Sequence, residues 1–289
     1  MLGVARPGDA VSLPAESPKA KVAQRLGFAE VEIEYSRPRV DGREIWGALV
    51  PFGEVWRTGA DYPTSFSTTE PLRVEGAALA AGRYALYTIP GVDRWTVILS
   101  RNTELWGAFG YTPDADELRV EVRPRAAPAH TESFTIEFAE PTYRSAVLVL
   151  RWAGLEVPIR LEAEILERVL AEVAAAAPED WGATWRGARI LADLGQRQDL
   201  AREWIERSLA VERNWMNLWT AAELAAGRGD AAAAVELGAE ALAACRAHRP
   251  YCAYSETYRA RLAEWSDEGG ARPASASPPA GEGPGAERP

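Results

Sequence analysis

Positive charge gathers where the rest of the chain is acidic. Arg37, Arg39, Arg43 and Arg57 fall in one short window with Asp61, although Lys and Arg number 32 against 42 Asp and Glu, a net charge of −10. A guanidinium is suited to bidentate capture of a carboxylate or phosphate. Tyr35, Trp46, Phe52 and Trp56 are interleaved with these arginines and supply an apolar wall. The candidate binding residues are therefore Arg37, Arg43, Trp56, Arg57 and Asp61, meeting a small anionic or polar ligand. A second reading uses the same residues differently: the arginines pair with Asp41, Glu44, Glu54 or Asp61 and pin an irregular loop.

Other chemistry has less to stand on. The two histidines, His130 and His248, are single and belong to different domains, so neither a metal nor another cofactor is expected. Neither histidine accompanies a nucleophile motif, and neither G-x-G-x-x-G nor a Walker-type phosphate loop follows a strand pattern. With 42 acidic residues, carboxylate pairs must exist, but spacing singles out none. The expectation is a non-catalytic binding or interaction protein. The alternative is a carboxylate-dependent hydrolase or lyase acting on cell-envelope material, with arginine as electrostatic stabiliser.

The acidic balance argues against nucleic acid and anionic membrane surfaces as partners. No apolar run approaches the roughly 18 residues a spanning helix needs. Residues 1–20 show neither a basic nor an apolar signal region. Cys245 and Cys252 flank Arg249-Pro250 and are read either as two thiols or as a disulfide clipping a helical turn.

From Ala29 to Leu161 the apolar period is two, as in Glu30-Val31-Glu32-Ile33-Glu34-Tyr35, with further runs at 83–89, 95–100, 118–122, 133–138, 146–152 and 155–161. Short strands without helical patterns between them predict an antiparallel β-sandwich or partly closed barrel over residues 28–161, after an extended N-terminal segment, 1–27. Pro158 places the last strand at an edge, and 125–132, with His130, is expected as a Pro-rich loop. Beyond Leu161 the period becomes helical. Trp185 and Trp219, and Ala188 and Ala222, lie 34 positions apart, a tetratricopeptide-like spacing of helical hairpins over 162–266. Trp185 and Trp219 are expected between helices, Gly195 and Gly229 at the turns, and a protein or peptide partner on the helical surface. Residues 267–289, rich in Gly, Pro, Ala and Ser, form an expected disordered tail.

Tyr35-Ser36-Arg37-Pro38, Gly42-Arg43, Ile45-Trp46-Gly47, Leu49-Val50-Pro51-Phe52-Gly53 and Val55-Trp56-Arg57-Thr58-Gly59-Ala60 occur in an order that resembles the bacterial family of domain of unknown function 2911. The later segments 81–90 and 95–99 are similar to it too. The resemblance carries no settled activity. Many members look like exported proteins, which implies a periplasmic or otherwise extracytoplasmic location. One position departs: after Gly59-Ala60 the family usually has Asn, where this chain has Asp61. An ionised Asp61 cannot donate the hydrogen bond an Asn amide could.

Overall fold

The computed structural model describes residues 14–248 and 255–270. Contacts divide the chain after Ile165 into two compact units. The first holds two antiparallel sheets that do not close on each other, and the second holds six α-helices among the described residues.

One sheet has six strands in the order β1 (Lys19–Leu26), β2 (Ala29–Ser36), β3 (Thr64–Thr68), β6 (Gly82–Ile89), β7 (Trp95–Ser100), β8 (Asp116–Val122). The other runs β5 (Ala77–Leu79), β4 (Leu72–Val74), β10 (Ser145–Ala163), β9 (Arg125–Ala139). Alternation decides what each strand buries. In β2, Val31, Ile33 and Tyr35 are buried, and on β3 Phe66 is.

Several expectations need correcting. The segment expected to precede the domain contains β1, which pairs with β2 from Lys19↔Ser36 to Leu26↔Ala29. Its single fully buried position, Leu26, gives little apolar alternation to read. The expected loop 125–132 is the first half of β9; an exposed strand start carries no apolar signal. Nor is the last strand an edge. β10 pairs with β9 through Val147–Glu156 and with β4 through Leu161–Ala163, and Pro158 falls between the two ladders, where no N–H is required of it.

The strand runs expected at 146–152 and 155–161 are one, bent by a bulge at Ala153 (φ 51°). The extra residue reverses the parity of burial: Ala146, Leu148, Leu150 and Trp152 are buried before it, Val157, Ile159 and Leu161 after it. Glu156 is thereby buried on the other face, where Arg151 (2.8 Å) and Arg125 both donate to it. Those donors hold its carboxyl below the usual carboxylate range.

The sheets are stitched by the chain leaving β2. Phe134 N–H donates to Pro38 O (2.8 Å) and Val40 N–H to Glu132 O (2.8 Å), so residues 38–40 run antiparallel to β9. The Tyr35 hydroxyl donates to Ile136 O (3.2 Å) and accepts from Ile136 N–H (3.0 Å), a buried latch between β2 and β9.

In the helical unit, α1 (Leu166–Ala175), α2 (Trp181–Leu194), α3 (Gln198–Val211), α4 (Trp215–Gly227), α5 (Ala231–His248) and α6 (Ser255–Gly270) each pack on the next, and α2 also packs on α4. The N-caps Asp180 and Asn214, and the left-handed glycines Gly195 (φ 66°) and Gly229 (φ 82°), recur at a 34-residue spacing. Trp219 is buried, stacked on Tyr258 at 3.7 Å, while Trp185 is half-buried and donates its indole N–H to Thr220 Oγ1 (3.0 Å). Ser208 donates to Trp181 O (2.9 Å), and buried Asn217 donates to Ser208 Oγ (3.1 Å), which joins α2, α3 and α4 through polar atoms. Cys245 is disulfide-bonded, which excludes the thiol reading for it; Cys252, the chain's other cysteine, and the expected tail from 271 onward lie outside the described residues.

Two substitutions probe the two units. Tyr35→Phe strands the N–H and C=O of Ile136 without their shared partner and is expected to cost about 1–3 kcal/mol in urea denaturation. Gly187→Ala puts a methyl 2.6 Å from Val173 Cγ2 and 2.7 Å from the Trp204 ring, and is expected to destabilise the helical unit by about 1–3 kcal/mol.

Candidate functional site

The long connection from β2 to β3 carries all five sequence-predicted site residues, and most of their polar atoms are turned to architecture. Arg37 Nε donates to Phe134 O (3.0 Å) and its NH2 to Thr135 Oγ1 (2.8 Å). Arg43 turns back on its own loop, to Val40 O (3.1 Å) and Arg39 O (2.6 Å). Arg39 faces Glu132 at 3.4 Å. Apart from this last pair the partners are carbonyls and a hydroxyl, not the loop acids that sequence reasoning considered.

Trp56 is buried among Trp46, Trp95, Trp152 and Phe134, with centroid separations of 5.3–6.4 Å. Its indole N–H donates to Gly59 O (3.1 Å), and its backbone pairs both ways with Thr88 (2.8 and 2.9 Å). The indole nitrogens of Trp46, Trp95 and Trp152 are buried without a hydrogen-bond partner. Their rings meet edge to face (Trp46–Trp95 4.9 Å, Trp46–Trp152 5.9 Å), an arrangement that sets ring edges against π faces.

Thr58 follows in the left-handed region (φ 56°), a strained setting for a β-branched residue. Its buried hydroxyl meets Thr88 Oγ1 (3.1 Å), and its carbonyl accepts from Thr64 Oγ1. At Gly59 a Cβ would stand 3.1 Å from Ser36 O, so the chain can approach β2 only without one. Asp61 is also left-handed (φ 59°), a conformation Asn and Asp tolerate better than other side chains. That backbone demand accounts for the residue type there without a ligand.

Arg57 is the member left unsatisfied. It is half-buried, and its Nε has no hydrogen-bond partner. Burial pushes its pKa down, and nearby Asp61 pulls it back up. A Cβ on Gly107 would lie 3.9 Å from Arg57 Cδ, so the guanidinium stem lies against the β7–β8 connection.

A groove of about 590 Å³ opens on the outer face of the six-stranded sheet and is lined by none of the five. Register explains it: Lys21, Glu34, Ser65 and Ala85 stand side by side across β1, β2, β3 and β6. Small Ser65 and Ala85 form the floor. Arg83 Nε donates to Ser65 Oγ (3.0 Å) and its NH2 lies 3.8 Å from Glu34, which Lys21 approaches at 3.9 Å. Tyr62, 58% exposed, stands on one side, and Thr103 and Glu104 from the β7–β8 connection on another.

That connection is anchored from beneath. Leu105, Ala108 and Tyr111 pack on the buried outer-face residues Ala85, Tyr87 and Ile98. The Tyr87 hydroxyl donates to Gly107 O (3.4 Å), and that of Tyr111 to Asp116 Oδ2 (2.7 Å). Burial pushes both phenols up to about 12, aided at Tyr111 by the Asp116 carboxylate. Trp106 and Phe109 point the other way, 60% and 75% exposed, stacked at 5.9 Å with 10° between planes. Sequence reasoning missed the groove because its residues come from four strands and two connections.

Among the described residues no group of three or more His, Cys, Asp or Glu could hold a metal ion, and no helix is long and apolar enough to cross a membrane. Fold and site together define a class: a two-sheet antiparallel domain with a plugging β2–β3 connection, followed in sequence by packed helices. Residues 17–161 match the family described as Protein of unknown function (DUF2911), and the chain belongs to it. No curated protein and no solved structure matches the chain.

The tyrosines under the β7–β8 connection give a pH test. Their folded pKa is raised from 10.0 to about 12, so their contribution to stability is complete below pH 10.0 and lost as pH rises through 12. Absorbance at 295 nm is expected to show late ionisation for a minority of the nine tyrosines. Tyr87→Phe should remove one late step; ionisation of every tyrosine near pH 10 in folded protein would contradict the burial.

Proposed function

We propose that this chain is a non-catalytic binding protein of the cell envelope, whose β unit takes a small polar ligand in the groove across β1, β2, β3 and β6. The groove carries this reading: its volume lies in the range of roughly 300–1,000 Å³ found for small-ligand sites, and charged and hydroxyl groups converge on it. Arg57 and Asp61 serve it indirectly, since Asp61 leads into Tyr62 and Arg57 supports the connection that supplies Thr103 and Glu104. Arg37, Arg43 and Trp56 hold the β2–β3 connection in place.

The helical unit is the partner-binding half, a pair of tetratricopeptide-like hairpins offering a surface to a protein or peptide. The 34-residue recurrence of N-caps and left-handed glycines, with α2 packed on α4, supports it. An extracytoplasmic location is favoured by the disulfide at Cys245, since such bonds persist in oxidising compartments, and by the exported character of proteins the sequence resembles.

A thermal-shift screen of the full chain against amino acids, polyols, sugars and organic anions is the direct test, because a ligand that binds the folded state raises the melting temperature with its concentration. The expectation is a dose-dependent rise that Arg83→Ala and Tyr62→Ala abolish while their unliganded melting temperatures stay near that of the parent. Equal shifts in parent and variants would place the ligand elsewhere.

A further inference from the structure

The exposed pair Trp106 and Phe109 is not explained by folding. Fully burying such a ring contributes about 1.5–3 kcal/mol, yet here both rings stay in water while Leu105, Ala108 and Tyr111 of the same connection are packed down. Their backbone is fixed even so. Gly107 (φ 66°) and Gly110 (φ 78°) make left-handed turns on either side of Ala108–Phe109, and the Tyr87 hydroxyl holds Gly107 O. The result is a solvent-facing aromatic surface two residues beyond Glu104, which lines the groove. Exposed apolar patches with polar surroundings mark interaction sites, and rings already stacked on each other need less ordering on binding.

The chemistry next to this platform selects the ligand. A pyranose ring offers an apolar C–H face that stacks on an aromatic ring, and a rim of hydroxyls that both donate and accept hydrogen bonds. The groove supplies both kinds of partner: Lys21 and Arg83 as donors, Glu34 and Glu104 as acceptors, Tyr62 and Thr103 as hydroxyls. Charges of both signs face each other there, with Lys21 and Arg83 either side of Glu34, so the site has no strong preference for an anion. The chain's net charge of −10 opposes insertion of the aromatic pair into anionic lipid.

We propose that the β unit binds a glycan: Trp106 and Phe109 form a stacking platform that extends the polar groove, and the ligand is a short, uncharged oligosaccharide. This rests on the reading of the groove as a ligand site and adds the chemical class of the ligand.

The test titrates the full chain with defined cello-, chito-, xylo- and malto-oligosaccharides, following tryptophan fluorescence and calorimetric heat. At least one series is expected to bind saturably at millimolar or tighter affinity. Trp106→Ala with Phe109→Ala should weaken it about tenfold or more, equivalent to about 1.4 kcal/mol, at unchanged melting temperature; Arg83→Ala should weaken it too. Absence of binding by every series would overturn the proposal. If organic anions or amino acids then bind and Arg83→Ala abolishes that binding, the groove reading survives the loss of the glycan. If none of these bind, both readings fall. Loss of binding to zwitterionic or anionic vesicles in the Trp106 and Phe109 double variant, with no oligosaccharide binding by the parent, would make the pair a membrane wedge and overturn the proposal.

Discussion

The β unit depends on one burial: the Trp56 indole must lie among Trp46, Trp95, Trp152 and Phe134. Rings of this size bury roughly 150–250 Å² each, so their cluster outweighs any single polar contact in the unit. Bringing Trp56 there from a connection, not a strand, sets conditions on its neighbours. Its backbone must find partners, and Thr88 supplies both. The chain must then turn within residues 57–63 to enter β3, which puts Thr58 and Asp61 in the left-handed region and requires a bare Cα at Gly59. The hydroxyls of Thr58, Thr64 and Thr88 offset that strain by satisfying polar groups that water cannot reach. The motif that marks the family is thus largely a set of instructions for plugging the space between two sheets.

Strands whose faces differ in polarity were legible. β2 alternates acids with buried apolar residues, and β6 and β7 announce themselves by apolar density. β1 was not legible, because its polar residues leave only Leu26 fully buried, and β4 and β5, three residues each, are shorter than any periodic signal. The bulge at Ala153 splits one strand into two apparent runs, since a parity change in the apolar pattern looks the same as a turn. The helical half was legible in outline because caps and left-handed glycines are local features. Its Ser208–Asn217 relay was not, because nothing in the spacing of a serine and an asparagine says that one will donate to the other across helices.

The groove lies at the limit of what sequence can say. Lys21, Glu34, Ser65 and Ala85 are neighbours only through strand register, and a shift of one residue in any of the three pairings would turn a different side chain outward. The arginine window, by contrast, was conspicuous because it is contiguous. Arg37 and Arg39 hold the connection to β9, Arg43 braces the connection itself, and only Arg57 is left without such a task.

Magnitudes separate the two surfaces as ligand sites. An anion captured by Arg37 would have to displace part-buried hydrogen bonds from a charged donor to Phe134 O and Thr135 Oγ1 of β9, each worth about 1.5–3 kcal/mol, and one captured by Arg43 would release the contacts to Val40 O and Arg39 O that brace the connection. In the groove, Arg83 and Lys21 meet Glu34 at 3.8 and 3.9 Å and Lys21 also meets Glu32 at 2.6 Å; with these side chains 31–65% exposed, such surface ion pairs contribute about 0–1 kcal/mol each. A ligand that replaces them loses little and gains a preformed floor of Ser65 and Ala85. Arg57 is the exception in the window, since its Nε has no partner to give up. Its charge is held under the same connection that presents Glu104 and Trp106, so a change at Arg57 reaches the groove through that wall. The energetic ordering follows from this placement: the motif fixes the scaffold, and binding falls to side chains whose present partners are cheap to exchange.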